Sequence, residues 1–320
     1  MAIINGTNGD DRNLRDLAEN DVMHGLAGND TIFSFSGDDK VFGDEGNDVI
    51  ITSGGNKVIH GNDGDDRISN SVGGNDKVYG DAGNDTISVG SGNDTIRAGV
   101  GNDTIELVGG GEDLIFCGDG DDIVLPKSAF GASLSGNKTI KGEAGNDDIK
   151  AGNENDTVYG GIGNDTLDGF RGDDTTRGDR GNDRMFGGAG LDTLTGVDPT
   201  NRTPGINEID FLDGGAAADL YILGDGRKVF YDDGNAATAG NQDAAVITMG
   251  AGDIIQLTGQ ASDYILRGAS TPIGQTSGMG IFRDNGNGSF DNTDELIAVV
   301  KGIGISSFIE SGITQNVQFI

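Results

Sequence analysis

Aspartates recur along most of this chain at intervals that are short and regular enough to place many carboxylates in one line. The stretch from Gly83 to Glu106 reads GNDTISVGSGNDTIRAGVGNDTIE, in which the tripeptide Gly-Asn-Asp returns every nine residues. Carboxylates in such a line repel one another unless a cation lies between them. The spacing therefore predicts a series of sites for hard metal ions.

The aspartates that we predict to bind metal share the last position of a Gly-x-Asp or closely related tripeptide. Most of them follow one another at steps of nine or ten residues. Hard ions prefer oxygen ligands, and Ca²⁺ tolerates irregular coordination by six to eight oxygens better than Mg²⁺ does. Zn²⁺ is disfavoured because the chain has only 2 His and 1 Cys. The predicted cofactor is Ca²⁺ in several copies, and the predicted ligands are Asp30, Asp39, Asp48, Asp66, Asp76, Asp85, Asp94, Asp103, Asp113, Asp122, Asp147, Asp156, Asp165, Asp174, Asp183 and Asp192.

An apolar residue stands two positions beyond nearly every one of these aspartates, as Ile87 does after Asp85. Three residues centred on it make a short strand whose middle side chain points inward. The six residues between such strands form a turn, and the glycines there supply positive φ angles. Two nonapeptides close one coil, so the predicted fold is all-β, a right-handed parallel β-roll of stacked nonapeptide coils with a C-terminal β cap.

Composition limits the partners of such a roll. The formal net charge is -32, and only 34% of the residues are hydrophobic. The charge disfavours nucleic acid and anionic lipid as partners and favours cations; about sixteen Ca²⁺ would cancel it. The single cysteine, Cys117, excludes an intrachain disulfide, and we interpret it as a repeat position that has drifted from glycine.

Several segments carry a family resemblance. GGAGLDTLT (Gly187 to Thr195), GGIGNDTLD (Gly160 to Asp168) and GDAGNDTIS (Gly80 to Ser88) resemble the RTX nonapeptide GGxGxDxUx of haemolysin-type calcium-binding proteins. The resemblance implies that each Ca²⁺ lies between two turns on the same side of the roll. It pairs Asp30 with Asp48, Asp76 with Asp94, Asp85 with Asp103, Asp147 with Asp165, and Asp156 with Asp174.

Two repeats depart from the pattern in the same way. SGGNKVIHG and LSGNKTIKG place Lys57 and Lys138 where the aspartate is expected. Each lysine either supplies a fixed positive charge to neighbouring aspartates or marks the loss of a dispensable site, and in both cases we expect no full calcium cage at its turn.

These features divide the chain into four parts. Residues 1–124 form the first part of the roll, 125–135 an insertion loop, 136–222 the second part, and 223–320 a C-terminal β capping region. Alternating apolar and polar residues in the last part predict a small antiparallel β-region. Asp284 to Glu295 matches a calcium loop poorly and is expected to be a polar hairpin turn.

The resemblance also implies a route out of the cell. The N-terminal residues MAIINGTNGDDR lack the basic and apolar runs of a signal peptide. The stretch ITMGAGDIIQLTGQASDYIL is similar to the ends of secreted RTX proteins, especially cyanobacterial ones, which type I exporters recognise by a C-terminal signal; residues 308–320 are a candidate for that signal.

The predicted function is that of a secreted or cell-surface protein that folds on extracellular Ca²⁺ and has a structural or adhesive role, with surface polysaccharide or other surface proteins as partners. The alternatives are a polysaccharide-active enzyme module and an ice-binding or surface-binding adhesin. The chain has neither HExxH nor G-x-S-x-G, and His24 and His60 are interpreted as isolated surface residues, so no enzyme is predicted. A threonine row (Thr139, Thr157, Thr175 and Thr193) is interrupted by other side chains, which disfavours ice binding.

Overall fold

The computed structural model describes residues 1–16, 19–70, 73–127, 135–202, 204–225, 227–231, 244–258, 264–270, 277–283, 295–302 and 317–319. Every regular element in these ranges is a β-strand. The chain divides into two compact units, Met1–Val158 and Tyr159–Ile320, which are considered in turn.

The first unit is built from strands that alternate between two parallel sheets. The odd-numbered strands pair with one another in one sheet, and the even-numbered strands do so in the other. The strands are β1 (Ile3–Asn5), β2 (Leu14–Arg15), β3 (Val22–His24), β4 (Thr31–Ser34), β5 (Lys40–Glu45), β6 (Val49–Thr52), β7 (Val58–Asp63), β8 (Arg67–Asn70), β9 (Lys77–Ala82), β10 (Thr86–Val89), β11 (Thr95–Val100), β12 (Thr104–Leu107), β13 (Leu114–Asp119), β14 (Ile123–Pro126), β15 (Thr139–Ala144) and β16 (Asp148–Gly152).

The core of this unit is a ladder of single apolar side chains. Val41, Ile59 and Val78 lie in register on β5, β7 and β9, and each is 0% exposed. Their neighbours along each strand point outward, as the period of two requires. The architecture is that of a parallel β-solenoid, which agrees with the predicted β-roll. From β4 to β16 the strands are longer than the predicted three residues, because pairing continues past the buried centre.

The turns can stack only because they are rich in glycine. Gly46 has a φ of 133°, in the left-handed region that favours glycine. A Cβ on Gly46 would overlap the carbonyl oxygen of Gly28 in the coil before it. Cys117 follows the buried Ile115 by two positions, as Gly43 follows Val41, and its side chain is fully buried. This placement agrees with its interpretation as a structural repeat position.

The second unit uses the same two-sheet arrangement. One sheet has the order β19-β21-β23-β25-β29 and the other β18-β20-β22-β24-β28-β27-β26, while β17 (Thr157–Ile162) spans the residues where one unit ends and the next begins. The remaining strands are β18 (Thr166–Arg171), β19 (Thr175–Arg180), β20 (Arg184–Ala189), β21 (Thr193–Val197), β22 (Ile209–Ala216), β23 (Leu220–Ile222), β24 (Ala244–Met249), β25 (Ile254–Leu257), β26 (Tyr264–Ser270), β27 (Ser277–Arg283), β28 (Glu295–Gly302) and β29 (Val317–Phe319).

The C-terminal strands differ in part from the expected antiparallel region. β26, β27 and β28 pair antiparallel as predicted. In contrast, β24 continues the sheet from β22, and β25 continues the sheet from β23, both in parallel. The antiparallel prediction was wrong for β24, β25 and β29, because alternation of apolar and polar residues marks a strand without fixing the direction of its partner.

Several sequence predictions fall wholly or largely outside the described residues. These are most of the insertion loop at 125–135, the candidate calcium loop at 284–295 and most of the candidate export signal at 308–320.

We predict that Ile59→Ala destabilises the folded chain by about 2–5 kcal/mol, because it opens a cavity in a core one side chain thick. Urea denaturation in calcium, followed by circular dichroism, measures this change. The control is Val58→Ala, which shortens the neighbouring outward-facing residue and should cost much less. Equal costs would show that the apolar ladder is not the core.

Candidate metal-binding ladders

The predicted metal-binding aspartates line up through a hydrogen bond that each makes to the neighbouring coil. The Oδ1 atom of Asp48 accepts the backbone N–H of Asp30 at 2.7 Å, and the Oδ1 of Asp66 accepts that of Asp48 at 2.7 Å. The bond repeats along one edge of the first unit, which we call the first ladder: Asp30, Asp48, Asp66, Asp85, Asp103, Asp122 and Asp147.

A second ladder runs along the other turns of the same unit. Asp21 donates its N–H to Asp39 at 2.8 Å, and Asp76 donates to Asp94 at 2.8 Å. Its members are Asp21, Asp39, Lys57, Asp76, Asp94, Asp113, Lys138 and Asp156. The structure thus places Asp30 beside Asp48, Asp76 beside Asp94 and Asp85 beside Asp103. The proposed pairs Asp147–Asp165 and Asp156–Asp174 have one member in each unit and stay predictions.

The second oxygen of the first-ladder carboxylates has a different environment. The Oδ2 atoms of six members are buried and accept no hydrogen bond from any described residue: Asp30, Asp48, Asp66, Asp85, Asp103 and Asp122. Beside several of them lies a glycine five residues earlier in the chain. A Cβ on Gly61 would meet both the Oδ2 of Asp66 and, at 2.7 Å, the carbonyl oxygen of Gly80. A carboxylate oxygen and backbone carbonyl oxygens therefore face one small space.

Burial without a donor changes the acidity of these groups. Desolvation raises the pKa of Asp48 to about 6, of Asp103 to about 7 and of Asp66 to about 8, while the hydrogen bond from the neighbouring backbone partly opposes the rise. A charged carboxylate in this position is costly unless a proton or a cation compensates it.

The donor set fits Ca²⁺. Among the described residues no three His, Cys, Asp or Glu side chains cluster as a metal site. Each candidate site therefore offers one or two carboxylates together with carbonyl oxygens, which is a set that Ca²⁺ accepts and Zn²⁺ does not favour. The buried Oδ2 atoms are the observation that calls for a cation.

Lys57 supplies such a cation from the protein itself. Its Nζ donates to the Oδ2 of Asp39 at 2.7 Å and to the carbonyl oxygen of Gly37 at 2.7 Å. Both side chains of this ion pair are buried, at 1% and 0% exposure. The ammonium thus contacts one carboxylate and one glycine carbonyl of the preceding coil. The interpretation of Lys57 as a fixed positive charge for a neighbouring aspartate is supported.

Other polar side chains also satisfy the second ladder. The Oδ2 of Asp39 accepts a hydrogen bond from the hydroxyl of Ser34 at 2.5 Å, and the Oδ2 of Asp76 accepts one from the amide of Asn70 at 2.6 Å.

Lys138 differs from Lys57, because its Nζ donates to the carbonyl oxygen of Gly136 in its own turn at 2.9 Å. The sequence did not suggest this difference between Lys57 and Lys138.

In the second unit the carboxylate series continues past the residues that the repeat predicts. Asp183 donates its N–H to Asp210 at 2.8 Å, and Asp219 donates to Asp253 at 3.0 Å. Tyrosines meet two of these groups: the Tyr231 hydroxyl donates to the Oδ2 of Asp210, and the Tyr221 hydroxyl lies 3.3 Å from the Oδ2 of Asp253. Among the predicted ligands of this unit, Asp183 and Asp192 have a buried Oδ2 that accepts no hydrogen bond from the described residues.

The prediction from sequence missed Asp253, although Ile255 follows it at the usual distance of two.

A second feature that the prediction missed is the role of the residue before each aspartate. The Oδ1 of Asn29 accepts the N–H of Asn47 at 2.8 Å, and the Oδ1 of Asn84 accepts that of Asn102 at 2.8 Å. This exposed ladder points along the chain in the opposite direction to that of the aspartates. The recurring Gly-Asn-Asp tripeptide thus ties each turn to both of its neighbours.

Parallel coils with buried carboxylates that face carbonyl oxygens are the arrangement expected of a repeat protein that binds cations. A family model, the RTX calcium-binding nonapeptide repeat in four copies, matches residues 17–50, 42–73, 71–105, 134–167 and 168–197. The chain therefore carries RTX calcium-binding nonapeptide repeats across this region, as its sequence indicated. A search of curated proteins found no match. The described residues include no helix that is long and apolar enough to cross a membrane.

We predict that acid stabilises the calcium-free fold. The raised pKa values mean that the folded state binds more protons than the unfolded state does, so their contribution to stability is full below about pH 4 and is lost as pH rises to about 8. Far-UV circular dichroism of calcium-stripped protein should show more β-structure at pH 4.5 than at pH 8. The opposite order would contradict the burial of these carboxylates.

We also predict that Lys57→Met destabilises the folded chain by about 3–5 kcal/mol, because it leaves the buried Asp39 carboxylate without its counter-charge. Urea denaturation in calcium measures the change. Lys138→Met is the matched control and should cost less, because its ammonium bonds a carbonyl rather than a carboxylate. Equal losses would argue against a special role for the Lys57–Asp39 pair.

Proposed function

We propose that this chain is a non-enzymatic, secreted or cell-surface calcium-binding protein whose roll folds when it meets extracellular Ca²⁺ and then serves as a structural or adhesive scaffold. The observation that supports this proposal most strongly is the row of buried Oδ2 atoms in the first ladder that accept no hydrogen bond. Such a row is unfavourable as free anions and favourable as calcium ligands.

We assign the calcium ions chiefly to the first ladder of the first unit. There the Oδ2 atoms of Asp48, Asp66 and their neighbours accept no hydrogen bond from the described residues. In the second ladder the Oδ2 atoms of Asp39 and Asp76 accept hydrogen bonds from Lys57 and Asn70. Asp39 is therefore not among the calcium ligands that we propose. Asp94 is a second-ladder member whose Oδ2 accepts no hydrogen bond from the described residues, and we keep it as a ligand, together with Asp183 and Asp192 in the second unit.

Because free Ca²⁺ differs between the inside and the outside of the cell, calcium binding makes folding depend on where the chain is. Where free Ca²⁺ is low, the carboxylates repel one another and the chain stays unfolded, which suits export by a type I system that recognises the C-terminal region. Outside the cell, binding to the folded state alone stabilises that state by mass action. The match to a calcium-binding repeat family supports the binding of calcium. Export and adhesion are the further parts of the proposal.

We predict that calcium-stripped protein at pH 7.5 changes cooperatively from coil to β-structure at about 0.1–1 mM Ca²⁺, the range of extracellular calcium modules, and does not do so with Mg²⁺. Far-UV circular dichroism measures the midpoint. Asp66→Asn should raise that midpoint several-fold, because it removes a buried ligand. Asp65→Asn is the matched control and should leave it unchanged, because Asn47 and Asn84 already occupy the equivalent exposed position.

Two outcomes would contradict this proposal. The first is a protein that is fully folded at pH 7.5 without calcium. The second is an equal shift of the calcium midpoint by both substitutions, which would mean that net charge alone governs folding.

A further inference from the structure

One face of the first unit is basic, although the chain as a whole is acidic. It consists of the outward-facing residues on either side of the buried centre in β3, β5, β7, β9, β11, β13 and β15, and we call it the cationic face. None of these residues is Asp or Glu, although the chain has 53 acidic and only 21 basic residues. The face carries Lys40, Lys77, Arg97 and Lys141, and also both histidines of the chain.

Aromatic rings form a continuous stack along this face. The rings of His24 and Phe42 lie 4.7 Å apart, those of Phe42 and His60 5.2 Å, and those of His60 and Tyr79 4.4 Å, with interplanar angles of 6°, 10° and 2°. His24 and His60 are therefore members of one row, two coils apart, and the interpretation of them as isolated residues was wrong. Because the ring faces cover one another, the ring edges face solvent.

Acidic residues beside the stack fix both imidazoles. The Nδ1 of His24 lies 3.0 Å from the Oδ2 of Asp44, and the Nδ1 of His60 lies 2.9 Å from the Oδ2 of Asp81. Asp44 and Asp81 have φ angles of 73° and 75°, in a region where glycine is favoured. The equivalent position in β11 is glycine, Gly99. Asn62 and Glu143 have nearly the same φ at the equivalent position of β7 and β15, whereas Asp44 and Asp81 each orient a histidine there. This contact leaves Nε2 as the polar ring atom available to a ligand.

Further along the face an aromatic ring holds two cations. The guanidinium carbon of Arg97 lies 4.1 Å from the ring centre of Phe116, and the Nζ of Lys141 lies 5.1 Å from the same centre. Cation–π contacts restrict these long side chains before any ligand arrives, which lowers the entropy cost of binding.

We propose that the cationic face binds a linear anionic polysaccharide that carries carboxylates along its length and lies along the direction in which the coils stack. The cations would meet the carboxylates, and the histidine Nε2 atoms and the Tyr79 hydroxyl would meet sugar hydroxyls. Successive coils repeat every ~4.8 Å, so the polar groups form a row that suits a polymer better than a single small ligand. This inference rests on the proposed function, because the face exists only in the folded roll.

Charge and shape favour a thin polysaccharide over other polyanions. Acidic residues border the face, among them Glu45 and Asp63, and these carboxylates repel a broad anionic surface such as a membrane. A single linear polysaccharide chain can lie over the two rows of outward-facing residues, one on each side of the buried strand centres. Salt screens its repulsion from acidic residues that are more than about 8 Å away. Single-stranded nucleic acid binds by stacking its bases on aromatic faces, and here the rings already cover one another.

The test measures binding of short polygalacturonate fragments, too short to gel with calcium, by isothermal titration calorimetry of the full chain in 2 mM Ca²⁺. We expect binding that weakens with added salt and falls about tenfold or more in the double variant Arg97→Gln and Lys141→Gln. The matched control is Arg67→Gln with Lys150→Gln, which removes two cations from the outward-facing side of the other sheet and should change binding less than twofold.

Several results would overturn the inference: no binding by folded wild-type protein, equal loss in both double variants, or equally tight binding of single-stranded DNA. Circular dichroism of every sample in calcium separates this outcome from failure of the proposed function. A chain that folds on calcium but binds no polygalacturonate contradicts only the cationic face. A chain whose fold ignores calcium contradicts the proposed function.

Discussion

The structure depends on one hydrogen bond in each turn: the aspartate of one coil accepts a backbone N–H of the coil before it. This bond fixes Oδ1 and thereby holds Oδ2 in a buried space beside a backbone carbonyl oxygen, as at Asp48 and Asp66. A carboxylate held in this way cannot turn to water. The same bond that stacks the coils therefore buries a negative charge that must be compensated. Stacking of the coils and burial of the charge cannot be separated.

At two positions a side chain of the protein itself compensates the charge of the buried carboxylate. At Asp39 the ammonium of Lys57 meets the carboxylate and a glycine carbonyl, and at Asp210 a tyrosine hydroxyl meets the carboxylate. These positions resemble the others in backbone geometry and differ in the group that occupies the space. The apolar ladder is only one side chain thick, so burial of Ile and Val alone leaves little excess over the ordering cost of a chain with 59 glycines. We propose that the stability of the fold is therefore conditional on the concentration of a cation.

The period of the sequence was sufficient to predict the coil and the positions that define it. A spacing of nine residues places Asp66 on a turn and Ile68 in the core without knowledge of any contact. The direction taken by long side chains was not predictable, because Lys57 reaches the preceding coil while Lys138 bonds its own turn. The row formed by His24 and His60 was missed because residues 36 positions apart become neighbours only after the coil length is applied twice. The parallel pairing of β24 and β25 was missed because the repeat signature fades there while the backbone pattern continues.

We propose that calcium occupies the space beside each first-ladder Oδ2 atom and that the Lys57 ammonium takes its place in the Asp39 turn. Anomalous X-ray scattering from crystals grown in calcium tests this directly, because it locates the ions independently of the refined protein. We predict anomalous peaks within about 2.3–2.6 Å of the Oδ2 atoms of Asp48, Asp66 and Asp103, and no peak at Asp39. Peaks that lie only at exposed carboxylates, or an ion of full occupancy between Asp39 and Lys57, would contradict it.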